Sequence, residues 1–136
     1  MRAPHLLRVD EGPERFAPLV EAARALGLRI GWLELEAVPA PAPLEAAASL
    51  GVLRAVAVGE GRTVAVKPLR GTPVLRDLLR EHFRGCALVL VRGKLEAPSL
   101  TPVEEGWSVE APGSAALRYT ADQLATALRK PRPWVP

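Results

Sequence analysis

The chain has 136 residues, of which 49% are hydrophobic and 24% charged, and its formal net charge is +3. This length suits a single domain with a core of its own, and the apolar fraction excludes a wholly disordered chain. No apolar run approaches the roughly 18 residues that a membrane-spanning helix needs. Residues 1–8 lack the apolar block of a secretory signal, and a single cysteine excludes an internal disulfide, so we expect a cytoplasmic location.

Arginine dominates the basic residues, with 15 arginines against three lysines. The chain also has 14 prolines, one glutamine and no asparagine. Few thermolabile residues and many prolines predict a protein from a heat-adapted organism. The basic balance permits an anionic partner such as RNA, but the acidic residues are interspersed, and codon bias explains the arginine excess equally well.

Hydrophobic periodicity predicts alternating strands and helices in the first part of the chain. The predicted elements are a strand over 6–9, a helix over 14–26, a strand over 28–36, a stiff proline-rich connector over 38–43 and a short helix over 44–50. Pro18 complicates this helix: either the regular helix starts near Ala17, which leaves Pro18 in the first turn where its missing N–H has no partner, or the helix kinks at Pro18. Gly27 suits the C-terminal cap of the same helix.

Residues 52–66 predict a β-hairpin, because valines alternate along both arms. Putting the valines of both arms on one face requires a loop with an odd number of residues. A three-residue loop over 59–61 meets this condition, pairs Val56 with Val64, and puts Gly61 at the left-handed position.

A helix and a buried strand are predicted next. Thr72 suits the N-cap and Pro73 the first helical position, and an apolar arc that includes His82 covers one side of the helix. The unbroken apolar run over 86–91 is typical of a strand covered on both faces. The segment 63–91 therefore predicts two parallel strands joined by a helical crossover.

The C-terminal part predicts a second hairpin and a last helix. Pairing Trp107 with Tyr119 and Val109 with Leu117 requires an odd loop, which residues 112–114 supply. Thr120 opens the last helix, and Gln123 follows three positions later, which is the spacing of a capping box. The segment over 93–106, which precedes this hairpin and contains two prolines, predicts no regular element.

Alternating strands and helices predict an α/β fold. We expect a single layered domain over 1–130, with a mixed β-sheet flanked by about four helices, a strand–helix–strand crossover and two β-hairpins. An extended proline-rich tail is predicted over 131–136.

The sequence predicts no catalytic residue, no metal site and no cofactor. His5, His82 and Cys86 lack tight ligand spacing. We interpret His82 as a hydrogen-bonded core histidine and Cys86 as a small core residue. The paired carboxylates at 104–105 are those of a solvated turn, and no phosphate-binding glycine pattern occurs.

One loop gathers cations just before a predicted helix N-terminus, where unpaired N–H groups attract anions. Arg76, Arg80 and Arg84 follow on one stripe of that helix. The candidate anion site comprises Lys67, Arg70, Gly71, Thr72, Arg76 and Arg80. The alternative is an ordinary solvated face, neutralised by the pairs Asp77–Arg80 and Glu81–Arg84.

Three functions stay open. The first is a non-enzymatic binding or self-association module, as a homodimer that covers exposed strand edges. The second is binding of a phosphate-bearing ligand or RNA through the basic loop and the arginine row. The third is a small-molecule enzyme whose site is assembled from residues distant in sequence.

Overall fold

The computed structural model describes residues 3–35, 40–69 and 71–134. In chain order, the elements are β1 (His5–Val9), a 3-10 helix (Pro13–Phe16), α1 (Ala17–Ala25), β2 (Ile30–Glu34), α2 (Ala42–Ser49), β3 (Ala55–Gly59), β4 (Arg62–Val66), α3 (Leu75–His82), β5 (Leu88–Arg92), β6 (Ser99–Val103), β7 (Gly106–Glu110), β8 (Leu117–Tyr119) and α4 (Ala121–Ala127). Six strands form one mixed sheet and two form a hairpin sheet, which confirms the predicted α/β class.

The chain divides into two compact units. The first, which we call the sheet unit, comprises residues 1–36 and 78–136, and the second, the helix–hairpin unit, comprises 37–77. The prediction of a single domain over 1–130 stays a prediction.

The sheet of the first unit has the strand order β2-β5-β1-β6-β7-β8. β5 lies between β2 and β1 and is parallel to both, with Leu90 opposite Trp32 on one side and Leu7 on the other. Four consecutive residues of β5 are buried, which confirms the prediction of a strand covered on both faces.

The predicted parallel pairing of the two strands in the segment 63–91 is wrong. β4 belongs to the hairpin sheet, and the neighbours of β5 are β1 and β2. The crossover within the large sheet runs from β1 through α1 to β2. Local periodicity identifies a strand but not its partner, which for β5 lies more than fifty residues away in sequence.

Helices α1 and α4 pack against each other, and the core next to them is built from large apolar side chains. α1 begins at Ala17 and has Pro18 in its first turn, which is the first of the two predicted alternatives, and Gly27 follows its end with φ +74°. The predicted capping box of α4 is confirmed: Gln123 N–H donates to Thr120 Oγ1 at 3.2 Å, and Thr120 N–H donates to Gln123 Oε1 at 3.0 Å.

The segment over 93–106, for which no element was predicted, contains β6. Pro102 hid this strand, because a proline inside a pattern argues against a paired strand. The parallel pairing of β6 with β1 is limited to the pair Arg8–Ser99. Pro102 lies outside this pairing, so the N–H that it lacks is not needed for a bond to β1. The other neighbour of β6, β7, follows the turn at 104–105, whose two carboxylates are exposed as expected.

The second hairpin has the predicted register, with Trp107 opposite Tyr119 and Val109 opposite Leu117. The ladder ends at the latter pair, so the loop is longer than the predicted three residues. Residues 131–134 bend back instead of extending: the Trp134 ring lies 6.0 Å from that of Tyr119 and 6.2 Å from that of His5.

The first hairpin has a different register from the predicted one. Its loop has two residues, so Ala57, not Val56, lies opposite Val64. The prediction assumed one buried face, but of the hairpin residues only Ala55 is buried, so no buried face sets the parity of the loop. Helix α2 packs on both strands. The predicted connector over 38–43 lies partly outside the described residues.

Candidate functional site

The predicted anion loop lies at the surface, but Thr72 does not cap the helix. α3 begins at Leu75, two residues later than expected, and its first bond runs from Asp77 N–H to the Val74 carbonyl at 3.0 Å. None of the α3 side chains is buried, so there is little packing energy to extend this helix toward its N-terminus. Arg70 lies outside the described residues.

The other predicted site residues lie at the surface. Lys67, Gly71, Thr72, Arg76 and Arg80 are all exposed. Gly71 adopts the left-handed conformation, with φ +67°. The anion site therefore stays a prediction.

The arginine row differs from the prediction in one of its two ion pairs. Within the described part of the chain, no ion pair joins Asp77 to Arg80. Arg84 Nε donates instead to the backbone carbonyl of Arg80 at 3.1 Å. All three arginines of the row are exposed, and one N–H of the Arg84 guanidinium is bonded to the backbone.

The prediction of a core position for His82 is wrong. Its side chain is 50% exposed, and Nε2 lies 3.8 Å from Glu81 Oε2. The apolar arc that includes His82 is only half-buried, because α3 contributes no residue to the core. His82 is therefore a surface residue at the end of a partly covered helix.

Cys86 precedes β5 and is half-buried instead of fully buried. Burial raises the pKa of its thiol, and the charge of Arg29 opposes part of that rise. A thiol held protonated is a poor nucleophile, since the thiolate is the reactive form. Within residues 3–35, 40–69 and 71–134, no group of three or more His, Cys, Asp or Glu residues could hold a metal ion.

The helix–hairpin unit carries an apolar surface that the sequence analysis did not identify. All the large hydrophobic side chains that are exposed in the described part of the chain lie between residues 50 and 74. We call this set, in which the valines of the hairpin lie on both of its faces, the apolar surface: Leu50, Val52, Leu53, Val56, Val58, Val64, Leu69 and Val74. Leu50, Leu53 and Val58 are each more than four-fifths exposed, at 84%, 83% and 81%.

Part of the apolar surface is one face of the hairpin. Val56 lies opposite Ala65, and Val58 lies opposite Thr63, so these four side chains share a face, and all four are exposed. Among the described residues, each strand of the hairpin has a strand neighbour on one side only. The unit thus presents an uncovered apolar face and two open edges.

A second feature lies at the carboxyl ends of parallel strands in the sheet unit. There, a cleft of about 660 Å³ is lined by Arg8, Asp10, Arg92, Gly93, Lys94, Leu95 and Glu96. Arg8 pairs with Asp10 at 2.9 Å, and Arg92 lies 3.6 Å from Glu34, a carboxylate that also accepts a bond from Trp32 Nε1 at 3.0 Å. Ligands of open α/β sheets bind at this kind of edge.

Local patterns could not identify the cleft. Charged residues do follow the apolar runs of β1 and β5 in the sequence. They come together because β1 and β5 are adjacent and parallel, with Arg8 opposite Val91 and Val9 opposite Arg92. That adjacency is a long-range property of the fold.

No protein-family model matches the chain, and the search of curated proteins finds none similar to it in sequence. Among the residues described, no helix has both the length and the apolar character to cross a membrane. The apolar surface and the cleft are therefore the two features of the molecule that bear on function.

Proposed function

We propose that this protein is a non-enzymatic binding module that works by self-association, as a homodimer, through its helix–hairpin unit. The observation that carries the proposal is the apolar surface, which lies entirely within residues 50–74. Isolated exposed hydrophobic residues are ordinary, but a concentration in one small unit is typical of an interaction site.

The energetics favour covering this surface. Burial of apolar area is worth roughly 25 cal/mol per Å², so side chains as exposed as Leu53 and Val58 leave stabilisation unused in the monomer. The hairpin sheet has only two strands and is covered by one helix, and a wider sheet is more stable. Association thus buries the valine face or extends the hairpin sheet.

A second copy of the chain is the partner that the edge of β3 favours. Proteins protect an open edge with charges, prolines or bulges, and β3 has neither a charged residue nor a proline between Ala55 and Gly59. Pairing of two identical edges closes a twofold dimer and leaves no further edge of the same kind open.

The test measures the molar mass of the protein by light scattering at micromolar concentration. We expect the wild type at about twice 14.6 kDa and the double variant Val56→Lys/Val58→Lys as a monomer. Both valines are exposed, so lysine leaves the packing of the unit intact while placing charge on the valine face. Circular dichroism of the variant should match that of the wild type.

A matched control adds the same charge elsewhere. The variant Ala115→Lys/Ala116→Lys changes two exposed residues of the β7–β8 loop and should remain dimeric. A monomeric wild type at this concentration would overturn the proposal, as would a double valine variant that remains dimeric.

The cleft favours a second candidate function, the binding of a small anion such as a phosphate or carboxylate. Three basic side chains, Arg8, Arg92 and Lys94, line it beside Asp10 and Glu96, and Glu34 pairs with Arg92 from outside the lining. Ion pairs hold both guanidinium groups in place at the rim, ready for bidentate recognition of an anion.

Thermal unfolding in the presence of inorganic phosphate, citrate or ADP tests this candidate. A bound anion at a hundredfold excess over its Kd stabilises by about 2.7 kcal/mol, which raises Tm by several degrees. The variant Arg8→Ala/Arg92→Ala should lose this rise, and Arg15→Ala/Arg24→Ala, two exposed arginines outside the cleft, should keep it. An equal rise in both variants would exclude the cleft as the site.

We also propose a cytoplasmic location and an origin in a heat-adapted organism. We place the protein in the cytoplasm, because its single cysteine cannot form an internal disulfide. Origin in a heat-adapted organism is supported by the scarcity of amide residues and the abundance of proline.

A further inference from the structure

We infer that two copies of the chain join their β3 edges in antiparallel fashion about Ala57, with Arg54 of each copy opposite Glu60 of the other. This inference rests on the proposed self-association and specifies its interface. The joined edges make a four-stranded sheet with the order β4-β3-β3-β4.

Symmetry limits the registers in which β3 can pair with itself. In an antiparallel pair, opposite residues lie on the same face of the sheet. A twofold axis perpendicular to the sheet leaves a given residue on the same face in both copies. Residues on one face of a strand have either all even or all odd numbers, so the numbers of two opposite residues must add to an even total. Among the permitted registers, only the one centred on Ala57 pairs all five residues of β3.

This register places compatible side chains together. Val56 lies opposite Val58 of the second copy, and Ala55 lies opposite Gly59. The four exposed valines then form one continuous stripe across the joined edge. Cross-strand pairs of β-branched residues of this kind stabilise a sheet.

The residues that flank β3 supply charge complementarity. The same register brings Arg54 opposite Glu60 of the second copy, and the symmetry repeats this pair. Both side chains are exposed, and neither has an ion-pair partner among the residues that the structure describes. Opposite charges facing each other across two strands favour this register over slipped ones.

The β4 edge also has a register that pairs all five of its residues, centred on Val64, but no acidic residue lies opposite a basic one in that register. Its nearest carboxylate, Glu60, lies seven positions from Lys67, so an even total never brings the two opposite each other. Glu60 meets Arg62 of a second copy only in a register centred on Gly61, in the turn, which leaves most of β4 unpaired. Charge complementarity between two copies of the same edge is therefore a property of β3.

A charge-reversal cycle tests the pairing by measuring the dimer dissociation constant in sedimentation experiments. Arg54→Glu and Glu60→Arg each create two like-charge pairs and should raise that constant by about tenfold. The double variant Arg54→Glu/Glu60→Arg restores both pairs and should return to within about threefold of the wild type. Arg15→Glu, an exposed reversal in the sheet unit, should have no effect.

Disulfide trapping gives an independent readout at the symmetry axis. Ala57→Cys in a Cys86→Ser background places one thiol opposite its own copy, so oxidation should give a covalent dimer. Val58→Cys in the same background should crosslink far less, because its counterpart is Val56. Crosslinking that is equal at 57 and 58 would overturn the register.

The outcomes separate this inference from the proposed function. A monomeric wild type would remove both. The β3 register would be refuted, while self-association stands, if the wild type is a dimer and the single reversals leave its dissociation constant unchanged. The same holds if the double variant does not restore the wild-type dissociation constant.

Discussion

Replacing Phe16 with alanine is expected to lower the free energy of unfolding by about 4 kcal/mol. Phe16 ends the 3-10 helix that leads into α1, and its ring is fully buried in the core of the sheet unit. Its centroid lies 6.0 Å from that of Trp32 on β2. Truncation loses the transfer free energy of a whole ring and leaves a cavity between helix and sheet.

Urea unfolding followed by circular dichroism measures this loss. Arg15→Ala is the matched control, because it precedes Phe16 in the same short helix and is exposed, and it should change stability by less than about 0.5 kcal/mol. Equal effects of the two substitutions would contradict the placement of Phe16 in the core.

The variant Gly106→Ala should cost about 3 kcal/mol, the second largest effect expected here. Gly106 opens β7 with φ +155°, and a Cβ at this position would overlap the carbonyl oxygen of Tyr119 on β8. That oxygen belongs to the backbone of a paired strand, so the clash cannot be relieved by rotating a side chain.

Gly113→Ala separates the steric clash from backbone conformation. Gly113 has φ +76°, but a Cβ there would meet nothing within 4 Å, so alanine should cost only about 1 kcal/mol. The comparison uses the midpoints of urea unfolding of the two variants. If Gly106→Ala is no more costly than Gly113→Ala, the close approach to Tyr119 does not constrain the sheet.

The two hairpins show when register can be predicted from sequence. In the second, Trp107 and Val109 are buried, so a slip by one residue would expose them, and the predicted pairing is confirmed. In the first hairpin, valines lie on both faces and most of them are exposed. A change of register by one residue therefore has little energetic cost, and the register cannot be predicted from the valine pattern. Burial, not valine alternation alone, determines register.

Strand partners and functional surfaces were harder to predict for a common reason. The strand β5 was evident from its apolar run, but its neighbours β1 and β2 are remote in sequence. The cleft depends on that same adjacency. His82 lies within an amphipathic pattern, yet the pattern does not tell whether anything covers the helix.

The sheet unit is discontinuous in the chain, and this has a consequence for synthesis. β1 pairs with β5 and β6, and His5 bonds through its ring to the Leu128 carbonyl at 3.1 Å. On a ribosome, β1 and β2 must therefore wait for the C-terminal half of the chain, whereas residues 37–77 emerge as one continuous stretch. The segment that carries the proposed dimer edge is thus complete before the larger sheet can close, and, if the proposal holds, nascent chains on one messenger can meet through it.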